Sequence, residues 1–375
     1  MMPNNDGVSG GDFATRMSLC TYIWLCCYPI YSLHRLFILL LFLSFFKEIN
    51  EMHVLHFITL AGVATAINVH RQEEPRCVDP VTRVEWRDLT PDLQQSYIDA
   101  VLCLKTRPSR IGLNTSLYDD FPWVHQKYNS IIHGASPFLP WHRYFGVVYE
   151  EALHDCGYKG AAPYWNWSLD VMKLAASPVM SSKLGFGGDG SKTRTEVLSD
   201  GSTIRCVDDG PFASLRPSYI GLSPLITVQE EHCLYRSLTD GDNASARVSA
   251  RYYNSTYVDI VEEEATFETF HTSLEGGPHG IIHSSIGGEM NPTTSPNEPI
   301  FFLHHVQIDR LWRRWQGKDL AKREFDYTGQ MKLFNSTTFI TAGLDDMLLM
   351  GGLAPDLRVR DVMSTNGRFC YQYAD

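Results

Sequence analysis

Apolar positions recur at helical spacing in several stretches of this chain, and turn residues bracket most of them. After Thr90-Pro91, a capping residue followed by proline in the first turn, come Leu93, Tyr97, Ala100, Val101 and Leu104. Positions three and four apart share a helix face, so this stretch predicts a helix with one buried side. Pro140 opens a second helix, Trp141 to Cys156, and Gly157 closes it. Pro299 opens another, Ile300 to Gln316, stopped by Gly317. A shorter helix ends at Gly287-Gly288, and a further long one starts near Pro122. The rest, about half of the region from Cys77 to Asp375, reads as extensive loops with a few short strands. Gly185–Ser202, rich in Gly and Ser, reads as a surface loop. No repeat, long charge run or low-complexity linker divides residues 77–375, which predicts one mainly α domain.

The N-terminal segment follows a different pattern. One apolar block runs from about Leu19 to Phe46, broken by Pro29 and His34-Arg35, and a second from Val54 to Ala66. From Met52 the sequence reads as a signal peptide, residues 52–66, ending in the small-residue run Ala64-Thr65-Ala66. Residues 1–51 are then either upstream sequence that the working protein lacks or a signal anchor. The first reading is preferred, because a start at Met52 supplies a complete secretory signal. Leu36–Phe46 is also too short to span a bilayer alone, and the longer block carries Arg35. Membrane contact is expected only if residues 19–46 act as that anchor.

Composition changes this picture little. The chain has 375 residues, 44% apolar and 20% charged, an ordinary globular balance. A formal charge of −11 excludes nucleic acid as a partner, because such binding needs phosphate-neutralising Lys and Arg. Eight Trp, 18 Tyr and 19 Phe suit an aromatic-lined site as well as a large core. Cysteine usage says more. Cys77, Cys103, Cys156, Cys206, Cys233 and Cys370 form an even set without a CxxC pair, which predicts three disulfides and an oxidising compartment, with Cys206 and Cys233 as one pair bracketing a loop. Glycosylation acceptors at Asn114, Asn243, Asn254 and Asn335 agree with secretion; Asn166 matches too but is expected to be buried.

The candidate chemistry lies in the histidines. His125, His133 and His142 form one group on or beside two predicted helices; His279, His283 and His305 form another. Residues i and i+4 share a helix face, so His279 and His283 can bind one ion together, with a third ligand from a neighbouring helix. Imidazoles alone, without carboxylate or thiolate, suit a copper ion that changes oxidation state. Two such sites facing each other could hold dioxygen. Spacing by itself is weak: 14 histidines in 375 residues give about half a pair at any chosen separation by chance. Zinc hydrolysis competes on spacing, yet no His-Glu-x-x-His occurs and no acidic residue stands beside the pair. Helix geometry does not choose between His304 and His305, which point about 100° apart.

The words around the histidines carry a family resemblance. Phe138-Leu139-Pro140-Trp141-His142-Arg143, with Glu150 two turns on, is similar to the first copper motif of tyrosinases and catechol oxidases. Ser295 to His305, followed by Asp309-Arg310-Leu311-Trp312 and Trp315-Gln316, resembles the second. Glu85-Trp86-Arg87, Cys156-Gly157-Tyr158, Pro163-Tyr164-Trp165 and Cys370-Tyr371-Gln372-Tyr373 look like the short fungal members. The resemblance implies a four-helix bundle carrying a type 3 dicopper centre, with dioxygen as co-substrate and a small phenol as substrate. His125, His133 and His142 would hold the first copper, and His279, His283 and His305 the second, because the family pattern selects the latter histidine of the 304–305 pair. Asp309 would orient a ligand or Arg310. Glu275, four residues before His279, matches the glutamate that holds a water near the coppers; the alternative is a helix N-terminal Glu stabilised by the dipole. Gly280 stands where strong monophenol hydroxylases often have Asn, which favours catechol oxidation over hydroxylation. Ile131 replaces a cysteine that some relatives crosslink to the second histidine, and Asn166 an Asp. The loop Met290–Ser295 is expected near the substrate entrance, with small Thr293 and Thr294 leaving the site open, and no C-terminal lid is expected. His154, His232 and His271 are read as core or surface residues. An oxygen carrier of the same metal type and a non-catalytic member of the fold are the rival readings.

Overall fold

The computed structural model describes residues 77–223 and 226–374, all within the unit His70–Asp375. The expectations for residues 1–51 and 52–66 lie outside the described residues. Helix α1 is Pro91–Leu104, α2 Leu117–Ile132 and α3 Phe138–Asp155. After a loop-rich stretch come α4 Ala244–Ala250, α5 Ser255–Glu262, α6 Phe267–Leu274, α7 Gly280–Ile286 and α8 Ile300–Gly317. Strands among the described residues form five two-stranded pairs. The bundle consists of α2, α3, the α6–α7 arm and α8, with α3 packed on α8 and α1 on the outside of α3. None of the helices among the described residues is long and apolar enough to cross a membrane.

Local chemistry explains the boundaries. Thr90 Oγ1 accepts the Leu93 N–H at 3.3 Å with Pro91 in the first turn, as the sequence predicts. Helix α2 begins five residues before Pro122, because Asp119 reaches back to the Ser116 N–H at 3.1 Å and starts the helix there. Helix α3 begins at Phe138, which places Pro140 in the first turn, where its missing N–H costs no helical bond. It ends with Gly157 at φ +97°: the Gly157 N–H bonds the His154 carbonyl at 2.9 Å and the Tyr158 N–H that of Leu153 at 3.1 Å. These two bonds satisfy the last carbonyls of the helix, and the left-handed residue between them costs least as glycine.

Three crosslinks tie down the loops: Cys77–Cys370, Cys103–Cys156 and Cys206–Cys233. The first lies beside a parallel pairing of Val81–Arg83 with Tyr371–Tyr373, which joins the two ends of the domain. The Gly185–Ser202 stretch departs from expectation in its first part. Phe186 is fully buried, and the Arg236 guanidinium bonds the carbonyls of Phe186, Gly187 and Gly188 and the Glu298 carboxylate. Bare backbone on either side of Phe186 closes around this buried cation, so Gly185–Gly190 is packed structure, whereas Lys192–Ser202 is mostly exposed, as expected of a surface loop. Asn166 is half-buried rather than buried, accepting from Ser168 and Gln307.

Candidate metal centre

Helices α2 and α3 bring the first histidine group together. His125 projects from the middle of α2, His133 follows its last turn and His142 sits in the first turns of α3. Their ring centroids lie 4.9, 5.0 and 5.4 Å apart. The second group is less regular than the sequence suggests. A single short helix does not carry His279 and His283: α6 ends at Leu274, a wide turn Glu275–His279 containing Pro278 follows, and α7 starts at Gly280. The i, i+4 relation survives this junction, with ring centroids 4.5 Å apart. His305 on α8 completes the group, 5.1 Å from His279 and 5.5 Å from His283. The groups face each other: His142 stacks on His305 at 4.5 Å, and His133 on His279 at 6.1 Å.

Backbone carbonyls fix the orientation of four rings. The Nδ1 atoms of His125, His142, His279 and His283 bond the carbonyls of Thr293, Phe138, Glu275 and Met290 at 2.7, 2.8, 3.1 and 2.6 Å. A neutral imidazole that donates from Nδ1 keeps its lone pair on Nε2. Nε2 of His125, His142 and His279 is buried with no hydrogen-bond partner, an arrangement that is costly unless something else occupies those lone pairs. Nε2 of His283 and His305 lie 3.3 Å apart, as two nitrogens on one ion do when each bond is about 2 Å. Burial pushes all six pKa values down, His283 to about 4, with neighbouring imidazoles adding repulsion at several of them. The rings are therefore neutral near pH 7 and free to donate to metal. The donor set fits two imidazole-liganded copper ions.

His304 also enters the second group. Its ring lies 5.0 Å from His283 and 5.4 Å from His279, it is fully buried, and neither ring nitrogen has a partner. Sequence reasoning set it aside on the family pattern. The 3.3 Å approach of His283 and His305 favours the latter of the pair as third ligand.

Glu275 lies between the groups. Its carbonyl holds His279, while its Oε1 accepts the N–H of Gly134, the residue after His133, at 2.7 Å. Its Oε2 is 3.4 Å from His271 Nε2. The residue follows the C-terminus of α6 and opens the wide turn Glu275–His279 that leads into α7. His271 is accordingly a partner of Glu275 that sequence reasoning missed; its position four residues earlier was the available signal.

Asp309 does not orient a ligand imidazole. It accepts from Arg143 Nε at 2.5 Å, Tyr371 at 2.6 Å and Tyr373 at 2.5 Å, and pairs with Arg83 at 3.5 Å. Burial raises its carboxyl pKa, but the two arginines and the tyrosine hydroxyls prevail and hold it below the usual range. Arg83 also pairs with Glu150 at 2.5 Å, and the Arg143 guanidinium lies 3.6 Å over Trp312. The motif residues around the histidines thus form a buried ionic hub behind the centre.

The Met290–Ser295 loop differs from expectation at Thr294. Thr294 is fully buried and its hydroxyl accepts the Gly221 N–H at 3.1 Å, so it anchors the loop rather than lining an open entrance. The partly or fully exposed residues beside the centre include His133, Gly134, Glu275, Gly280, Ile281 and His283 and, in this loop, Asn291, Pro292 and Thr293. The exposed side of the centre is therefore bordered by the end of α2, the start of α7 and the Asn291–Thr293 part of the loop.

A family model described as the common central domain of tyrosinase matches residues 115–318, more than half of the chain. The chain belongs to the tyrosinase family. It is 39% identical over 322 residues to tyrosinase ustQ of Aspergillus flavus, covering 85% of each chain. It is 32% identical to the N-acetyl-6-hydroxytryptophan oxidase ivoB of Emericella nidulans, covering 85% of this chain and all of that one. Among solved structures, a polyphenol oxidase point mutant from Thermothelomyces thermophila superposes with a TM-score of 0.69 at 32% identity, over 80% of this chain and 91% of that one. A tyrosinase from Burkholderia thailandensis, 16% identical with a TM-score of 0.51, shares the fold. The chain is thus a tyrosinase-family oxidase of fungal type with the type 3 copper fold.

Proposed function

We propose that this enzyme oxidises o-diphenols to o-quinones with dioxygen, two diphenols and one dioxygen giving two quinones and two waters. The observation that supports this most is the pair of opposed, neutral imidazole sets with lone pairs aimed at no protein donor. His125, His133 and His142 would hold one copper, and His279, His283 and His305 the other; when bound, the pair supplies redox capacity and Lewis acidity toward dioxygen. The protein's own part is position and proton handling. Backbone carbonyls fix the rings before metal arrives, which lowers the reorganisation needed on binding. Phe138 and Phe301 pack against the rings, Phe301 at 4.0 Å from His305, and keep water from the inner face. Glu275 is the carboxylate on the exposed side of the centre, and its role is to accept a phenol proton, directly or through one water. Gly280 brings no side-chain amide to that water, so hydroxylation of monophenols is the weaker activity. Three disulfides support action in an oxidising, extracellular setting.

The test is oxygen uptake by copper-loaded protein given a simple catechol and then its matching monophenol. Uptake with catechol and a long lag with monophenol is the expected result. Prompt uptake with both would overturn the argument from Gly280. Recovering the protein from medium and cells and sequencing its N-terminus tests secretion; cell-bound protein retaining residues 19–46 would contradict it.

A further inference from the structure

One loop orients an imidazole from each histidine set. The Met290 carbonyl bonds His283 Nδ1 at 2.6 Å, and three residues on the Thr293 carbonyl bonds His125 Nδ1 at 2.7 Å. The carbonyl spacing of this loop therefore sets the angle of one ligand ring in both sites at once. The loop is clamped from outside the centre. Glu289, fully buried, is paired with His232 and accepts Asn297 Nδ2 at 3.0 Å, and the same amide donates to the Tyr219 carbonyl of the Tyr219–Ser223 strand at 2.7 Å. The hairpin of Tyr219–Ser223 and Ile226–Gln229 thus meets the loop region at two points, this amide bridge and Gly221.

Gly221 is the point of closest approach. Its N–H donates to Thr294 Oγ1 at 3.1 Å, and a Cβ built there would stand 3.2 Å from Pro292 Cβ, Thr293 Oγ1 and Thr294 Oγ1 alike. Two of those contacted residues lie between the Met290 and Thr293 carbonyls or carry one. A side chain at this position makes the loop or the hairpin give by a few tenths of an ångström, against the buried Glu289–Asn297–Tyr219 bonds that tie the two together.

We propose that Gly221 is a positioning residue for the whole centre: its bare backbone seats the hairpin on the Met290–Thr294 loop, and that seat couples metal binding at the two histidine sets. The inference rests on the dicopper reading above. Outer partners that orient metal-bound imidazoles typically contribute about 10–100-fold to affinity. A shared partner spreads that loss over both ions.

The full chain, freed of metal, is titrated with Cu(I) against a chromophoric chelator, and bound copper is counted. Glycine 221 is replaced as Gly221→Ala, which adds the Cβ, and separately Thr294→Val removes the hydroxyl that anchors the loop while keeping its shape. Leu222→Ala, at an exposed neighbouring position, is the control. Wild type and L222A are expected to take up two ions. G221A and T294V are expected to lose about 10–100-fold in affinity for both ions in parallel, while circular dichroism of the metal-free chains stays unchanged. Unchanged affinity in both variants, or weakening of one ion alone, overturns the proposal. If G221A does not fold, T294V decides. Failure of the underlying reading looks different: wild type itself would then bind fewer than two coppers.

Discussion

Replacing Asp309 by Asn removes one negative charge from a buried cluster whose charges balance: Arg83 and Arg143 against Glu150 and Asp309. All four side chains are nearly or wholly inaccessible, Arg83 at 1% and Asp309 at 5%. The asparagine preserves volume and one acceptor, so no cavity opens. The cost comes from leaving a guanidinium without its counter-charge in a site that solvent does not reach, and from replacing an acceptor of three short bonds by a neutral amide. Breaking a buried pair in this way costs about 3–5 kcal/mol. At about 2 °C per kcal/mol for a domain of this size, the melting midpoint is expected to fall by about 6–10 °C. Arg143 follows His142 and donates to the Val362 and Met363 carbonyls as well, so its displacement also disturbs the first histidine set. The assay is differential scanning calorimetry of the metal-free chain, paired with copper counting on the same sample. A shift under about 2 °C would show that the arginines find solvent or other acceptors, and the hub would then be a bystander.

Further outcomes follow from the same geometry. In Gly280→Asn the new Cβ meets the Glu275 carbonyl at 3.3 Å, which has to yield by a few tenths of an ångström; the new amide is expected to shorten the monophenol lag, a hydrogen bond of about 1 kcal/mol being about fivefold in rate, and an unchanged lag in protein that still holds two coppers would refute the water-positioning argument. His305→Ala is expected to lower bound copper by one ion per chain whereas His304→Ala retains two; the reverse result in copper analysis would exchange their roles. In the metal-free protein burial depresses the ligand histidines, His283 from 6.5 to about 4, so the folded chain takes up protons later than the unfolded one. Their stabilising contribution is full above pH 6.5 and is lost as pH falls toward 4; thermal midpoints that stay flat across that window in metal-free samples would contradict the burial of these rings.

The two histidine groups were legible because short words around them encode helix starts and inward faces together. The Thr90-Pro91 cap, Gly157 and Pro299 are local signals, and local signals survive folding. What the sequence hid depends on distant partners. Asp309 reads as an orienter of something near in sequence, yet its charges come from Arg83, 226 residues away, and from Arg143. Thr294 reads as a small residue at an entrance, but the hairpin Gly221 takes its hydroxyl. Gly185–Ser202 has the composition of a surface loop, which Lys192–Ser202 is, but the buried Arg236 draws the backbone of Phe186–Gly188 into the core. His279 shows the intermediate case: the i, i+4 spacing is correct, although the backbone between the two ligands is a wide turn joined to a helix.

The central claim is that both imidazole sets hold copper and that the filled centre oxidises catechols. Oxygen uptake with a simple catechol, measured on protein shown to hold two coppers per chain, tests it most directly. Sustained uptake at one dioxygen per two catechols, abolished by His142→Ala, is the predicted result. Protein that carries two coppers and consumes no oxygen with catechol would contradict the account.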